Sequence, residues 1–263
     1  MSAPGIQTLI LCGGLGTRLR EETEVRPKPM VEVGGRPILW HIMKSYAVHG
    51  FTDFVICLGY KGERIKEYFL NYEAMNNDFT VELGRRESIA FHHGHEENGW
   101  RVTLVDTGYQ TMTGGRIKRA SRYLTADRFM VTYGDGVSNV DLTKLLAFHQ
   151  SQRTLATVTG VHPASRFGEL LLTGSKVRQF SEKPQTHEGV VNGGFFVFER
   201  AALDYLSDDP ACILEREPLE RLAADGQLSV YLHDGFWQCM DTYRDYQMLN
   251  QLWDSGSAEW KTW

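Results

Sequence analysis

The sequence predicts an α/β protein built on a mostly parallel, doubly wound sheet. Three observations carry this reading. Continuous apolar runs at Thr8-Leu9-Ile10-Leu11, Phe54-Val55-Ile56-Cys57-Leu58 and Phe129-Met130-Val131-Thr132-Tyr133 suit strands covered on both faces. Amphipathic stretches alternate with them, giving strand, helix, strand, helix. Glycine-rich turns follow two of the runs, at Gly13-Gly14-Leu15-Gly16 and Gly134-Asp135-Gly136, and the carboxyl ends of strands are where open α/β sheets take ligands.

In chain order, residues 7–12 form the first strand. Residues 37–48 read as a helix, with Pro37 in its first turn, Ile38, Leu39, Ile42, Met43 and Tyr46 on one face, and Gly50 to close it. Ile65 to Tyr72 is a second helix. Residues 73–100 are less regular, with a strand at 79–83. The run His92-His93-Gly94-His95-Glu96-Glu97 has metal-ligand residue types but no register to organise them, and reads as a solvated loop. A strand at 102–106 precedes a basic helix from Thr111 to Leu124, on which Arg119 and Arg122 are expected on a solvated face. After the strand at 129–133 come a helix at 141–153, with Asp141 near its start, and a strand at 157–161.

The second half is richer in strands and turns. Residues 167–172 and 177–180 form a hairpin across Thr173-Gly174-Ser175. Asn192-Gly193-Gly194 opens a strand at 195–198, and helices follow at 201–206 and 217–225. Asp241 precedes a helix running to about Asp254, so it is either an N-cap or first-turn acid, or a ligand.

Composition excludes several classes. The 263 residues are 42% hydrophobic and 23% charged, which suits a globular protein. A net charge of −5 argues against a nucleic-acid partner. No apolar run approaches the ~20 residues of a membrane span, and Met1-Ser2-Ala3-Pro4-Gly5 lacks the features of a signal peptide. Cys12, Cys57, Cys212 and Cys239 have no Cys-x-x-Cys spacing, which points to reduced thiols in the cytoplasm.

The first glycine turn is the most informative stretch. Glycines let backbone N–H groups approach an anion, and Arg18 and Lys28 follow closely. Pro27 and Pro29 hold Lys28 on a stiff segment. A dinucleotide fingerprint is excluded, because Leu19 stands where its third glycine would fall and no acid ends the second strand. A Walker A loop is excluded by the missing Gly-Lys-Ser/Thr. What remains suits a triphosphate.

Leu11-Cys12-Gly13-Gly14-Leu15-Gly16-Thr17-Arg18-Leu19, followed by Arg26-Pro27-Lys28-Pro29-Met30, resembles the signature of the sugar-1-phosphate nucleotidylyltransferases. Gly34 to Met43, Thr111 to Arg116, Tyr133-Gly134-Asp135-Gly136, Asn192 to Phe196, Gly235 to Gln238, Met240-Asp241-Thr242 and Trp260 to Trp263 resemble its glucose-1-phosphate cytidylyltransferase branch. The resemblance covers nearly the whole chain. It implies a single Rossmann-like nucleotidyltransferase domain over 1–263, with a mixed, mostly parallel sheet. About 1–160 would bind nucleotide, and the β-rich remainder, about 161–263, would bind sugar and serve assembly.

The implied reaction moves a cytidylyl group from CTP to glucose 1-phosphate with Mg²⁺, giving CDP-glucose for deoxysugar synthesis, in a cytoplasmic homo-oligomer. Arg18, Lys28 and Asp135 would be catalytic. Leu11, Cys12, Gly13, Gly14, Gly16, Thr17, Arg18, Lys28, Thr111, Arg116 and Gly134 would bind the nucleotide, with Thr111 and Arg116 at the base. Gly168, Glu182, Lys183, Asn192 and Gly193 would hold the sugar phosphate, and Asp135 and Asp241 the metal. Cys12 departs from the alanine usual in related loops, and a thiol there is expected to make the loop sensitive to alkylation. A non-catalytic sensor on this scaffold could dispense with Lys28, Asp135 or Asp241, yet all three are present.

Overall fold

The computed structural model describes residues 5–84, 88–92, 94–162, 169–173, 176–181 and 189–263. Its central sheet contains β1 (Gln7–Cys12), β2 (Asp53–Leu58), β3 (Arg101–Asp106) and β4 (Arg128–Tyr133), in the spatial order β4-β1-β2-β3, all parallel. A short strand, β5 (Gly136–Ser138), follows β4 and lies off this sheet. The second half adds β6 (Ala156–Val161), β7 (Val191–Asn192), β8 (Phe196–Glu199) and β9 (Leu228–His233). Strand β8 joins β4 antiparallel, β6 joins β8 antiparallel, and β7 and β9 both pair with β6, the latter in parallel. The sheet is therefore mixed, and mostly parallel on the side that carries the glycine turns. Strand β10 (Trp237–Cys239) pairs antiparallel with β5.

Residues alternate across β1. Ile10 and Cys12 enter one core, with α1 (Ile38–Ala47) and α6 (Tyr243–Asp254); Leu9 and Leu11 enter the other, with α3 (Thr113–Ala120) and α5 (Glu217–Ala224). The helices α2 (Gly62–Leu70) and α4 (Leu142–Gln152) join the first of these cores through Ile65, Leu142, Leu145 and Leu146. Both faces of β1 are buried throughout, which is why its sequence is apolar without alternation. Asp141 caps α4, its carboxylate accepting from Lys144 N at 3.0 Å.

Several elements differ from the sequence reading. The helix expected at 65–72 is α2, which ends at Leu70, with Asn71 as its C-cap, before a separate turn of helix at Tyr72–Asn76. The basic helix is shorter than 111–124, giving way to a 3₁₀ turn at Ser121–Tyr123, and the helix expected at 201–206 is a 3₁₀ helix at Arg200–Tyr205. The strand at 79–83 shortens to Phe79–Val81, paired with Ile89–Phe91 in a hairpin apart from the main sheet. The His92–Glu97 run is not wholly solvated. Glu97 is buried and accepts from Trp40 Nε1 at 3.1 Å, while His95 lies 2.9 Å from Glu73.

The aromatic tail packs on the chain's own core. Trp260 is 1% exposed and donates to His41 Nδ1 at 3.4 Å, while His41 Nε2 donates to Val33 O at 2.8 Å. One ring nitrogen accepts and the other donates, so His41 is neutral. Burial lowers its pKa to about 4.

Candidate active site

Strands β1 and β4 are parallel neighbours, with Leu11 opposite Tyr133, so the two glycine turns lie side by side at one end of the sheet. Gly134 N donates to Leu11 O at 3.0 Å. A Cβ on Gly134 would stand 2.8 Å from Cys12 Sγ and 2.9 Å from Leu11 O, so glycine is what lets the second turn lie against the first. A cavity of about 310 Å³ opens there. Leu11, Cys12, Gly13, Gly14, Gly16, Thr17, Arg18, Lys28, Thr111, Arg116, Gly134 and Asp135 all line it. Pro29, Met112, Thr113 and Tyr133 complete the wall.

Lys28 is the electrostatic centre. It sits in a 3₁₀ turn, Lys28–Met30, preceded by Pro27 in extended conformation. Its ammonium donates to Asp135 Oδ2 at 2.7 Å and to Asp241 Oδ1 at 2.6 Å, and Arg18 Nη1 reaches Asp241 Oδ2 at 2.9 Å. Burial opposes the lysine's charge, but Asp135 and its neighbours overcome it and raise the pKa. Burial likewise opposes the charge on Asp241, and Lys28 and Arg18 win, lowering its pKa.

The ladder between β5 and β10 brings the distant Asp241 to this point. Cys239 pairs with Gly136, and Met240 N donates to Asp135 O at 2.9 Å. Asp241 does not cap the following helix. Thr242 does, in a capping box with Asp245, whose carboxylate accepts from Thr242 N at 2.8 Å and from Asp241 N at 3.1 Å. The Asp241 carboxylate is thereby left to Lys28 and Arg18.

The donor set fits a divalent cation, because two carboxylates already converge on one positive charge, with Lys28 as the resident cation. Cys239 contributes a thiol to the same group, the three ligand atoms lying within 4.8 Å of one another; among the described residues this is the one such group. No motif announces Cys239. Its place follows from its pairing with Gly136.

Arg116 is almost entirely buried. Its guanidinium donates to Leu58 O, Thr107 Oγ1 and Gly108 O at 2.8 Å, to Gly13 O at 2.9 Å and to Tyr109 O at 3.2 Å. It ties the first glycine turn to the ends of β2 and β3 and to the loop before α3. Arg119, expected on a solvated face, instead donates to Thr107 O and to Thr111 Oγ1 at 2.8 Å, because α3 turns that side towards the loop. Arg122 is exposed, over the Tyr123 ring.

Of the residues expected to hold the sugar phosphate, Asn192 Nδ2 donates to Tyr133 Oη at 3.1 Å, and Gly193 O accepts from Trp237 Nε1 at 2.8 Å. Gly168, Glu182 and Lys183 lie outside the described residues. Cys12 is 1% exposed, and burial raises its thiol well above the ordinary pKa. A protonated, shielded thiol is a poor nucleophile, which argues against the expected alkylation sensitivity. All four cysteines are free.

The profile of the family described as nucleotidyl transferase matches residues 7–253. The chain belongs to the nucleotidyl transferase family. Within it, the chain is 50% identical over 259 residues to glucose-1-phosphate cytidylyltransferase of Salmonella typhimurium, covering 98% of this chain and 100% of that one. Two solved structures share the family fold. HddC from Yersinia pseudotuberculosis aligns with a TM-score of 0.69 at 23% identity, over 94% of this chain and 99% of that one. The inositol-1-phosphate CTP transferase from T. maritima aligns with a TM-score of 0.65 at 13% identity, over 96% and 98%.

Proposed function

We propose that this nucleotidyl transferase moves a cytidylyl group from CTP to α-D-glucose 1-phosphate, releasing CDP-glucose and pyrophosphate. The observation that carries the chemistry is the meeting of Asp135 and Asp241 on Lys28, where Lys28 and Asp135 line the glycine-turn cavity. The choice of CTP and glucose 1-phosphate rests on the full-length similarity to the Salmonella typhimurium enzyme.

The attacking sugar-phosphate oxygen is already an anion, so the reaction needs no activated serine and no general base. The obstacle is charge, since two polyanions must meet and more charge grows on the departing pyrophosphate. Catalysis is positioning plus electrostatic stabilisation. Gly13, Gly14, Gly16 and Thr17 bring backbone amides to the triphosphate. Arg18 and Lys28 leave the carboxylates to neutralise the outer phosphates as the bond to the α-phosphorus breaks. Asp135 and Asp241 would hold Mg²⁺, which when bound supplies charge neutralisation at the α-phosphate. Thr111 borders the base, and Arg116 fixes the loop around it. Asn192 and Gly193, with Gly168, Glu182 and Lys183, hold the sugar phosphate. On the same reading the enzyme is a cytoplasmic homo-oligomer, residues 1–160 serving mainly the nucleotide and 161–263 the sugar and assembly, and its product enters deoxysugar synthesis.

The test is a grid of CTP, dTTP, UTP and GTP against several sugar 1-phosphates, scored by pyrophosphate release with and without a chelator. CTP with glucose 1-phosphate is expected to turn over fastest, and chelation to abolish it. Faster turnover with dTTP or UTP would move the assignment to another base, and no release with any pair would leave a sensor.

A further inference from the structure

Glu215 lies outside every motif, in the turn before α5, and its residue is exposed. Both its carboxylate oxygens are nevertheless committed. Oε1 accepts from Tyr133 Oη at 2.5 Å, and Oε2 accepts from Thr113 Oγ1 at 2.6 Å. These are the short distances of hydroxyls donating to an ionised acid.

The proton directions along this chain of bonds are fixed. Gly194 N donates to Asn192 Oδ1 at 2.9 Å, which turns the Asn192 amide so that Nδ2 donates to Tyr133 Oη at 3.1 Å. Tyr133 then gives its own proton to Glu215. From the other side, Leu214 N donates to Thr113 Oγ1 at 2.9 Å, and Thr113 gives its proton to Glu215. Two arms converge on a group that only accepts. Burial, then the charge of Glu215, raise the Tyr133 pKa, so the phenol remains a donor.

The arms end at the two substrate subsites. Thr113 lines the cavity beside Met112 and Thr111, where the base is placed. Tyr133 lines it next to Gly134 and Asp135, and Asn192 stands on the sugar side. Exposed hydrogen bonds add little to folding, so the arrangement is better suited to fixing positions than to holding the fold.

We infer that Glu215 is a positioning residue that links the nucleotide subsite to the sugar-phosphate subsite, so that each substrate is bound more tightly when the other is present. The inference rests on the assignment of CTP and glucose 1-phosphate to this cavity. Nucleotide seated against the Thr111–Thr113 loop orders Thr113. Through Glu215 this orders the Tyr133 ring and the Asn192 amide before the sugar phosphate arrives, and the second ligand no longer bears that ordering cost. The coupling is reciprocal by thermodynamic necessity.

The test is calorimetric titration of glucose 1-phosphate into the full-length protein, with and without saturating α,β-methylene CTP and Mg²⁺. Wild type, E215A, E215Q, Y133F and the double variant E215A/Y133F are compared. Wild type is expected to bind the sugar phosphate at least about fivefold more tightly with the analogue present. E215A and Y133F should lose that enhancement, and the double variant should be no worse than either single one. E215Q, which keeps one acceptor and must reverse one arm, should fall between. Wild-type coupling retained in E215A, or in E215Q and Y133F should E215A not fold, overturns the inference. So does additivity in the double variant. Failure of wild type to bind glucose 1-phosphate at all would instead overturn the assignment of the substrates, and the inference with it.

Discussion

Replacing Lys28 with methionine separates two consequences that ordinarily move together. The Lys28 side chain is 11% exposed and its ammonium touches aspartates whose side chains are 25% and 16% exposed. Removing one partner of a fully buried ion pair costs ~3–5 kcal/mol; with Asp135 a quarter open to water and Arg18 still on Asp241, roughly 2 kcal/mol of stability is expected here. Turnover should fall more steeply. On the proposed mechanism the lysine meets charge that grows as pyrophosphate departs, and a preorganised donor of that kind contributes about 3–4 kcal/mol, or roughly 10²–10³ in kcat, with a smaller change in KM for CTP. Affinity for a divalent cation in the absence of nucleotide should rise, because Lys28 occupies the carboxylates that would hold it. A unit charge at about 4 Å opposes another by ~4 kcal/mol near a protein surface. The lysine can swing aside, so about a tenfold gain is the expected floor. Mn²⁺ titration followed by electron paramagnetic resonance reads this directly, alongside steady-state kinetics and thermal melts. Loss of fold would lower both turnover and metal affinity; opposite changes identify the exchange. Unchanged Mn²⁺ affinity in the variant, or unchanged kcat with only KM raised, would refute the reasoning.

Arg116→Lys should lower the melting temperature and raise KM for CTP, since an ammonium cannot serve carbonyls of Gly13, Leu58, Gly108 and Tyr109 at once; the loss expected by denaturant titration is about 2–4 kcal/mol. Gly13→Ala should weaken CTP binding at least about tenfold, because its Cβ would stand 2.1 Å from Arg116 Cζ, so that either the turn or the guanidinium that holds it must move; calorimetry with α,β-methylene CTP checks this, and wild-type affinity would count against the close packing. Acid should destabilise the fold through His41. Its pKa is about 4 in the folded chain and 6.5 unfolded, so as pH falls below 6.5 the unfolded state takes up a proton that the folded state refuses. Stability is therefore present above that window and declines through it, by about 2 kcal/mol between pH 7 and pH 5. Urea titrations should show a shallower decline for His41→Gln, and parallel declines would contradict the assignment.

The parallel half of the sheet was legible because strands buried on both faces leave uninterrupted apolar runs, as in β1 and β2. The hairpin at Phe79–Phe91 was half legible, since nothing in its sequence tells a strand of the main sheet from a small sheet apart. Lys28 and Asp135 were marked by their motifs. Asp241 was ambiguous because Asp241-Thr242 followed by Asp245 offers two candidate caps, and only the completed box on Thr242 shows which residue is released. Arg116 drew attention as a donor, but sequence does not reveal that its acceptors come from three separate segments. Glu215 left no signal, because its partners lie 102 and 82 residues away and meet it only once the loop before α5 is folded against α3 and β4.

The most direct measurement is an anomalous-scattering map of crystals grown with Mn²⁺ and α,β-methylene CTP. The account predicts a manganese peak ligated by the carboxylates of both Asp135 and Asp241, with Lys28 drawn off them onto a phosphate oxygen. A peak remote from either aspartate, or Lys28 still bridging the pair with the triphosphate bound, would contradict it.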